Sequence, residues 1–168
     1  MGLLYHMCSD TVAFEAHHDH NQCIEQALTV ARELCKTRSL RLTPIRELVL
    51  KLVWQSHQPL GAYEILPALA EAGFNSAPPT VYRALDFLQE QGLVHRIATL
   101  NAYVGCPHPD LTHQGCFLIC RHCNTATEMD SQAAEALISQ QAAMLGFTTE
   151  KQSIEVLGCC PNCREDAN

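Results

Sequence analysis

Two cysteine pairs carry the strongest chemical signal in this 168-residue sequence: Cys120-Arg-His-Cys123, and Cys160-Pro-Asn-Cys163 near its end. Such pairs can be redox couples, disulfides or one metal site. Ten cysteines with no cationic segment ahead of an apolar run point to reduced thiols in a cytoplasmic protein, because the cytosol keeps thiols reduced. Redox chemistry of the thioredoxin kind places its C-x-x-C at a helix N-terminus following a strand, and neither pair is expected to open an amphipathic helix. The spacing suits metal binding, since two intervening residues let both sulfurs turn toward one ion about 2.3 Å away. Four thiolates in two such clips, Cys120, Cys123, Cys160 and Cys163, fit a structural, tetrahedral zinc site. Cys159 lies beside this set and is read as a packed thiol.

Four further residues offer a mixed N/S/O donor set that zinc accepts: His95, Cys106, His113 and Glu128. Each has an ordinary explanation as well. His95 could be a surface histidine, Cys106 a small buried hydrophobe, His113 a solvated linker residue and Glu128 an exposed strand end. Spacing alone leaves both readings open. The run His17-His18-Asp19-His20 is read as a solvated arm, with weak metal scavenging as the other use.

The elements that must position these groups can be read from periodicity. Residues 1–21 have no apolar period and form an expected arm. A helix is predicted near Gln22–Thr37. Thr43 as N-cap and Pro44 at the first helical position open another over Leu42–His57. Leu60–Gly73 reads as a third, with Pro67 expected to kink or break it. Ala77–Gly92 is a fourth, closed by Gly92. The rhythm then changes to period two in Leu93–Ile97 and Asn101–Cys106, a β-hairpin. Short helices followed by a hairpin wing are the order of a winged helix-turn-helix domain, here 22–105. A Pro/Gly/His-rich hinge at 106–115 leads to a β-β-α-β unit at 116–168. Its strands are expected at Cys116–Ile119, Ala126–Met129 and Thr148–Leu157, with a helix at Ser131–Leu145. The fold class is α+β. In a unit of about 50 residues, zinc would tie the last strand to the first hairpin and add folding energy that so small a core needs.

Bulk composition is that of one or two globular domains, 47% hydrophobic and 17% charged, with net charge -7. No apolar run approaches the roughly 20 residues that span a bilayer. The charge is uneven: 26–96 holds eight Lys/Arg against six acids, whereas both flanks are acidic. Such a surplus fits DNA binding and also fits a solvated face. Within it, Tyr82 and Arg83 open the helix before the wing, where Arg83 could pair with a guanine edge. The other reading of Tyr82 is core packing beside Val81. Arg38, Arg41 and Arg46 are candidate phosphate contacts.

GAYEIL (Gly61–Leu66), PPTVYRALDFL (Pro78–Leu88), GLVHRI (Gly92–Ile97), NAYVGC (Asn101–Cys106), the LTHQG histidine, CRHC with Glu128 downstream and the closing CPNC together resemble the ferric uptake regulator superfamily from about residue 22 to Cys163. The zinc uptake regulator branch is most similar. Iron-sensing relatives have a His-rich H-H-D-H run after the wing, where this chain has CPHPDLTHQ, and the soft thiolate of Cys106 favours zinc over ferrous iron. The resemblance implies a structural zinc on Cys120, Cys123, Cys160 and Cys163, and a regulatory zinc on His95, Cys106, His113 and Glu128. It implies a homodimer that binds palindromic double-stranded operator DNA when zinc-loaded and represses zinc uptake genes, with Tyr63 as a thymine or backbone contact. An iron or peroxide sensor of the same superfamily is the alternative. Outside it stand a zinc chaperone and a zinc hydrolase or deaminase. The deaminase reading is weakened by Ile119, which stands where that signature expects proline.

Overall fold

The computed structural model describes residues 20–55, 58–109 and 115–165. His113 and the His17–Asp19 part of the expected arm lie outside the described residues.

The N-terminal half is helical. α1 (His20–Thr37) buries Ile24, Ala27, Leu28, Ala31 and Cys35 along one stripe. α2 (Pro44–Val53) starts as its sequence predicts, with the Thr43 hydroxyl accepting the Arg46 N–H at 3.4 Å and Pro44 at the first helical position. It ends at Val53, short of the expected His57.

The third helix differs from expectation. Leu60–Gly61 forms a short strand, β1, and α3 (Ala62–Glu71) follows. Pro67 lies inside α3 without breaking it. Proline removes the bond to the carbonyl four residues back, that of Tyr63. Tyr63 and Pro67 are both exposed, so water can take that carbonyl.

α4 (Pro78–Glu90) buries Val81, Ala84, Leu85 and Leu88. It stops at Gly92, whose φ of 74° belongs to the left-handed region. The N–H groups of Gly92 and Leu93 reach back to the carbonyls of Gln89 and Leu88 at 3.0 and 2.9 Å, closing the helix and aiming the chain into the wing. The wing strands are β2 (Val94–Ile97) and β3 (Ala102–Gly105). β1 joins them, giving an antiparallel sheet of order β1-β3-β2 with Leu60 opposite Tyr103. Sequence reasoning missed β1 because two residues carry no measurable period. One continuous core unites these helices with the wing strands.

Gly105 closes this domain. A methyl group there would land inside the indole of buried Trp54. Gly105→Ala should therefore lower stability by about 1–3 kcal/mol through overpacking, readable as a lower denaturation midpoint for the N-terminal half.

The C-terminal unit has β4 (Cys116–Cys120), β5 (Ala126–Met129), α5 (Gln132–Met144), β6 (Ile154–Gly158) and α6 (Pro161–Glu165). The sheet order is β5-β4-β6, with β5 antiparallel and β6 parallel to β4. β6 is shorter than the predicted 148–157 because the preceding residues turn back onto α5. Gln152 donates to the Ser139 hydroxyl at 2.6 Å and to the Glu135 carbonyl at 3.3 Å. α6 was not anticipated; Pro161 starts it and the Cys160 carbonyl accepts the Arg164 N–H at 3.0 Å. Ser131 precedes α5, but its hydroxyl bonds the Glu135 carboxylate and makes no capping bond.

Register places Phe117, Glu128 and Glu155 opposite one another across β4, β5 and β6, so their side chains share a face. That face turns toward the wing. Ile97 and Val104 of the wing pack with Phe117, Ile119 and Ala126 in a second core that joins the two halves.

Candidate metal centres and DNA-facing residues

The Cys120–Cys123 turn follows β4, and Cys160–Cys163 enters α6 just after β6. Because β4 and β6 are paired up to Cys120 opposite Gly158, the two clips meet at one end of the sheet. Backbone bonds fix the meeting: the Arg121 N–H donates to the Gly158 carbonyl at 2.9 Å, and the Cys160 N–H to the Cys120 sulfur at 3.4 Å. All four sulfurs lie within 4.8 Å of one another. The Cys123 and Cys160 sulfurs are 3.8 Å apart. That matches the edge of a tetrahedron with 2.3 Å zinc–sulfur bonds, about 3.8 Å.

The thiols differ in acidity. The backbone N–H groups of Cys123 and Cys160 pull Cys120 down to about 5. Hydrogen bonding to the Cys160 sulfur, with burial, pushes Cys163 well above the ordinary thiol range. One thiolate forms readily and the last resists, as expected when negative charges crowd together. Ionising all four demands a cation among them, so this donor set fits zinc. Cys159 is exposed and outside the cluster, so it is not the packed thiol expected from sequence. Cys23 on α1 is disulfide-bonded, contrary to the expectation of reduced thiols, while eight other described cysteines are free.

His95, Cys106 and Glu128 form a second cluster, again with ligand atoms within 4.8 Å of one another. His95 sits mid-strand on β2, Cys106 follows β3, and Glu128 is on β5. The His95 Nε2 is 3.5 Å from a Glu128 oxygen, close to the edge of about 3.4 Å for a tetrahedron with 2.1 Å bonds. Cys106 is fully buried, and the other two are partly so. A buried thiol with a partly buried imidazole and carboxylate, brought together from the two sheets, fits a divalent, borderline-soft cation. Phe117 supports this cluster, its ring centroid 5.3 Å from that of His95 at a 59° tilt. Sequence reasoning placed Phe117 on the expected strand Cys116–Ile119 and gave it no role.

On the helical domain, Arg83 is exposed as the sixth of the thirteen residues of α4, further in than the helix opening expected for it, and Tyr63 is 66% exposed near the start of α3. Tyr82 is half-buried against the core. Arg41 is exposed. Arg38 is exposed but donates to the backbone and side-chain oxygens of Gln91 at 3.2 and 3.0 Å. Arg46 lies 3.4 Å above the centre of the Phe87 ring and donates to the Arg41 carbonyl. Arg38 and Arg46 are thus engaged within the domain, and the Arg46 bond ties down the backbone at Arg41.

Residues 37–157 match the ferric uptake regulator family model. The chain belongs to the ferric uptake regulator family. Members of the family are transcription regulators, not enzymes, and act as DNA-binding dimers. This ferric uptake regulator homologue is 39% identical over 142 residues to the zinc uptake regulation protein of Escherichia coli K12, covering 84% of this chain and 83% of that one. A solved zinc uptake regulator complexed with zinc and DNA superimposes with a TM-score of 0.81 at 39% identity, covering 86% of this chain and 97% of that one. The holo form of XcZur superimposes with a TM-score of 0.76 at 41% identity, covering 83% and 98%. The α+β architecture of helices and two small sheets is the family's. Among the described residues, no helix is long and apolar enough to cross a membrane.

Proposed function

We propose that the chain is a zinc-responsive transcriptional repressor in the cytoplasm, binding palindromic operator DNA as a zinc-loaded homodimer and controlling zinc uptake genes. The observation that carries this is the convergence of His95 and Cys106 from the wing with Glu128 from the C-terminal sheet. Two zinc ions per subunit are assigned. The structural one is held by Cys120, Cys123, Cys160 and Cys163. The regulatory one is held by His95, Cys106 and Glu128, with His113 as the fourth ligand. Domain limits follow the same logic: an arm at 1–21, a winged helix-turn-helix at 22–105, a hinge at 106–115 and a dimerisation domain at 116–168.

Bound at the regulatory site, zinc supplies a cross-link between wing and dimerisation domain. The chain's residues do the rest. Ile97 and Val104 dock on Phe117, and this fixes the direction in which α4 leaves each half of the dimer. Selecting one arrangement from a hinged ensemble matches the spacing of two half-sites. The dimer surface is apolar: α5 has no buried residue, and Leu137, Leu145, Phe147 and Val156 are 58%, 87%, 66% and 46% exposed. A helix of 13 residues is marginal alone in water, and a second copy would cover this face.

Arg83 and Tyr82 would enter the major groove, Tyr63 would meet a thymine or the backbone, and Arg38, Arg41 and Arg46 would border the phosphates. Arg83→Ala should cost about 1–3 kcal/mol at the operator by removing one bidentate base contact, with selectivity lost at a single base-pair position in a binding-site selection. The proposal as a whole is tested by mobility shift on operator duplex with and without zinc, alongside metal analysis. About two zinc ions per subunit and zinc-dependent retardation are expected. Equal retardation of the metal-free protein, or a response to ferrous iron alone, would overturn it.

A further inference from the structure

We infer that Glu155 is a second anchor of the wing, a positioning residue that helps set the zinc level at which the regulator takes up DNA. This rests on the regulatory reading above and extends it to a residue that binds no metal.

Glu155 lies on β6, opposite Phe117 of β4. One carboxylate oxygen accepts the Ala98 N–H at 2.6 Å and the other accepts the Thr99 N–H at 2.9 Å. Both donors belong to the turn between β2 and β3, at the tip of the wing. Burial alone would raise the Glu155 carboxyl, but the bonds from Thr99 and Ala98 outweigh it and hold the group below the usual carboxylate range.

The residues of that turn matter because of what they would otherwise do. Ala98 and Thr99 are exposed. With the wing swung away, their amides would bond to water and Glu155 would be solvated. The contact therefore belongs to the docked arrangement alone, and a contact made in one state of a two-state equilibrium shifts that equilibrium. The metal-ligand cluster holds the wing through His95 and Cys106, whereas Glu155 holds its tip. Ile97 and Val104 pack against Phe117 between them. One attachment leaves a pivot, and two separated attachments fix an orientation. Gln58 adds to the same interface, its amide donating to the Cys123 carbonyl at 3.0 Å.

If zinc and DNA both select the docked wing, weakening it must weaken both by linkage. The test titrates zinc into the full-length dimer with a fluorescent duplex that the zinc-loaded wild type has selected from random sequence. Glu155→Ala should raise the zinc concentration at half-maximal DNA binding by about tenfold, the scale of one charge-assisted contact pair. Glu155→Gln, which keeps one acceptor, should fall between it and wild type, and the denaturation midpoint of the dimer stripped of regulatory zinc should not move. A zinc midpoint within about twofold of wild type in both variants would overturn the inference. So would a change confined to the stability of the stripped dimer. Cys106→Ser in the same titration separates the two levels. If it responds to zinc normally, the regulatory reading itself has failed. If it is unresponsive while both Glu155 variants match wild type, only the anchor has failed.

Discussion

Cys120→Ser is expected to unfold the C-terminal unit and abolish the dimer while leaving the helical half folded. The two halves have separate supports. The N-terminal core is continuous from α1 to the wing and includes none of the four clustered cysteines. The C-terminal unit has little to hold it. Among the described residues, its helix buries none, its β6 is half-exposed, and the second core draws Phe117, Ile119 and Ala126 from this side. A structural zinc contributes on the order of 10–16 kcal/mol in small zinc peptides, comparable to or larger than the roughly 5–15 kcal/mol that keeps a domain folded. Removing one thiolate should therefore lose the unit outright. Circular dichroism should show loss of the α5 signal with the helical domain's transition preserved, and sedimentation should give a monomer. Cys159→Ser is the control. That thiol is exposed and lies outside the cluster, so the variant should remain a folded, zinc-replete dimer. A folded dimer from Cys120→Ser would refute the structural assignment.

The features legible in the sequence were those encoded locally. Thr43 and Pro44 announced α2, Gly92 announced the end of α4, and alternation in LVHRI announced the first wing strand. The clustering of the four cysteines was legible for the same reason, since each C-x-x-C clip forms within one turn. What the sequence concealed depends on distant partners. β1 exists only because β3 lies beside it. Pro67 is tolerated on an exposed stretch of α3, with Tyr63 exposed one turn before it, which no window of residues reveals. Thr148 to Ser153 looked extended, but α5 offers Ser139 and Glu135 as partners and the chain turns to meet them. The mixed donor set shows the boundary between these cases. His95 and Cys106 sit on one hairpin, but nothing local links them to Glu128. That connection needs β5 and the wing on one side of Phe117, and before the structure only the family resemblance implied it.

Cys106→Ser and His95→Ala should give the opposite phenotype, a folded dimer that has lost its response to zinc. Neither residue belongs to the four-cysteine cluster, and the cores on both sides remain. Cys106→Ser is nearly isosteric, so the wing should dock with little strain. His95→Ala also removes a ring that packs on Phe117 and should cost somewhat more stability. Glu128→Gln completes the series by keeping shape and removing the charge that a divalent ion needs. Zinc content should fall from about two to about one per subunit. Operator affinity in zinc should drop about 5–150-fold, the usual range for coupling between two sites. The residual binding identifies the cause. The phosphate contacts proposed for Arg41 and its neighbours lie on the helical domain and would be untouched, so weak binding should persist with an unchanged dependence on salt. A variant that lost both affinity and salt slope would have lost the DNA-binding surface itself. One that lost affinity at constant slope, and no longer distinguished zinc from chelator, would have lost the fixed geometry between two intact reading heads.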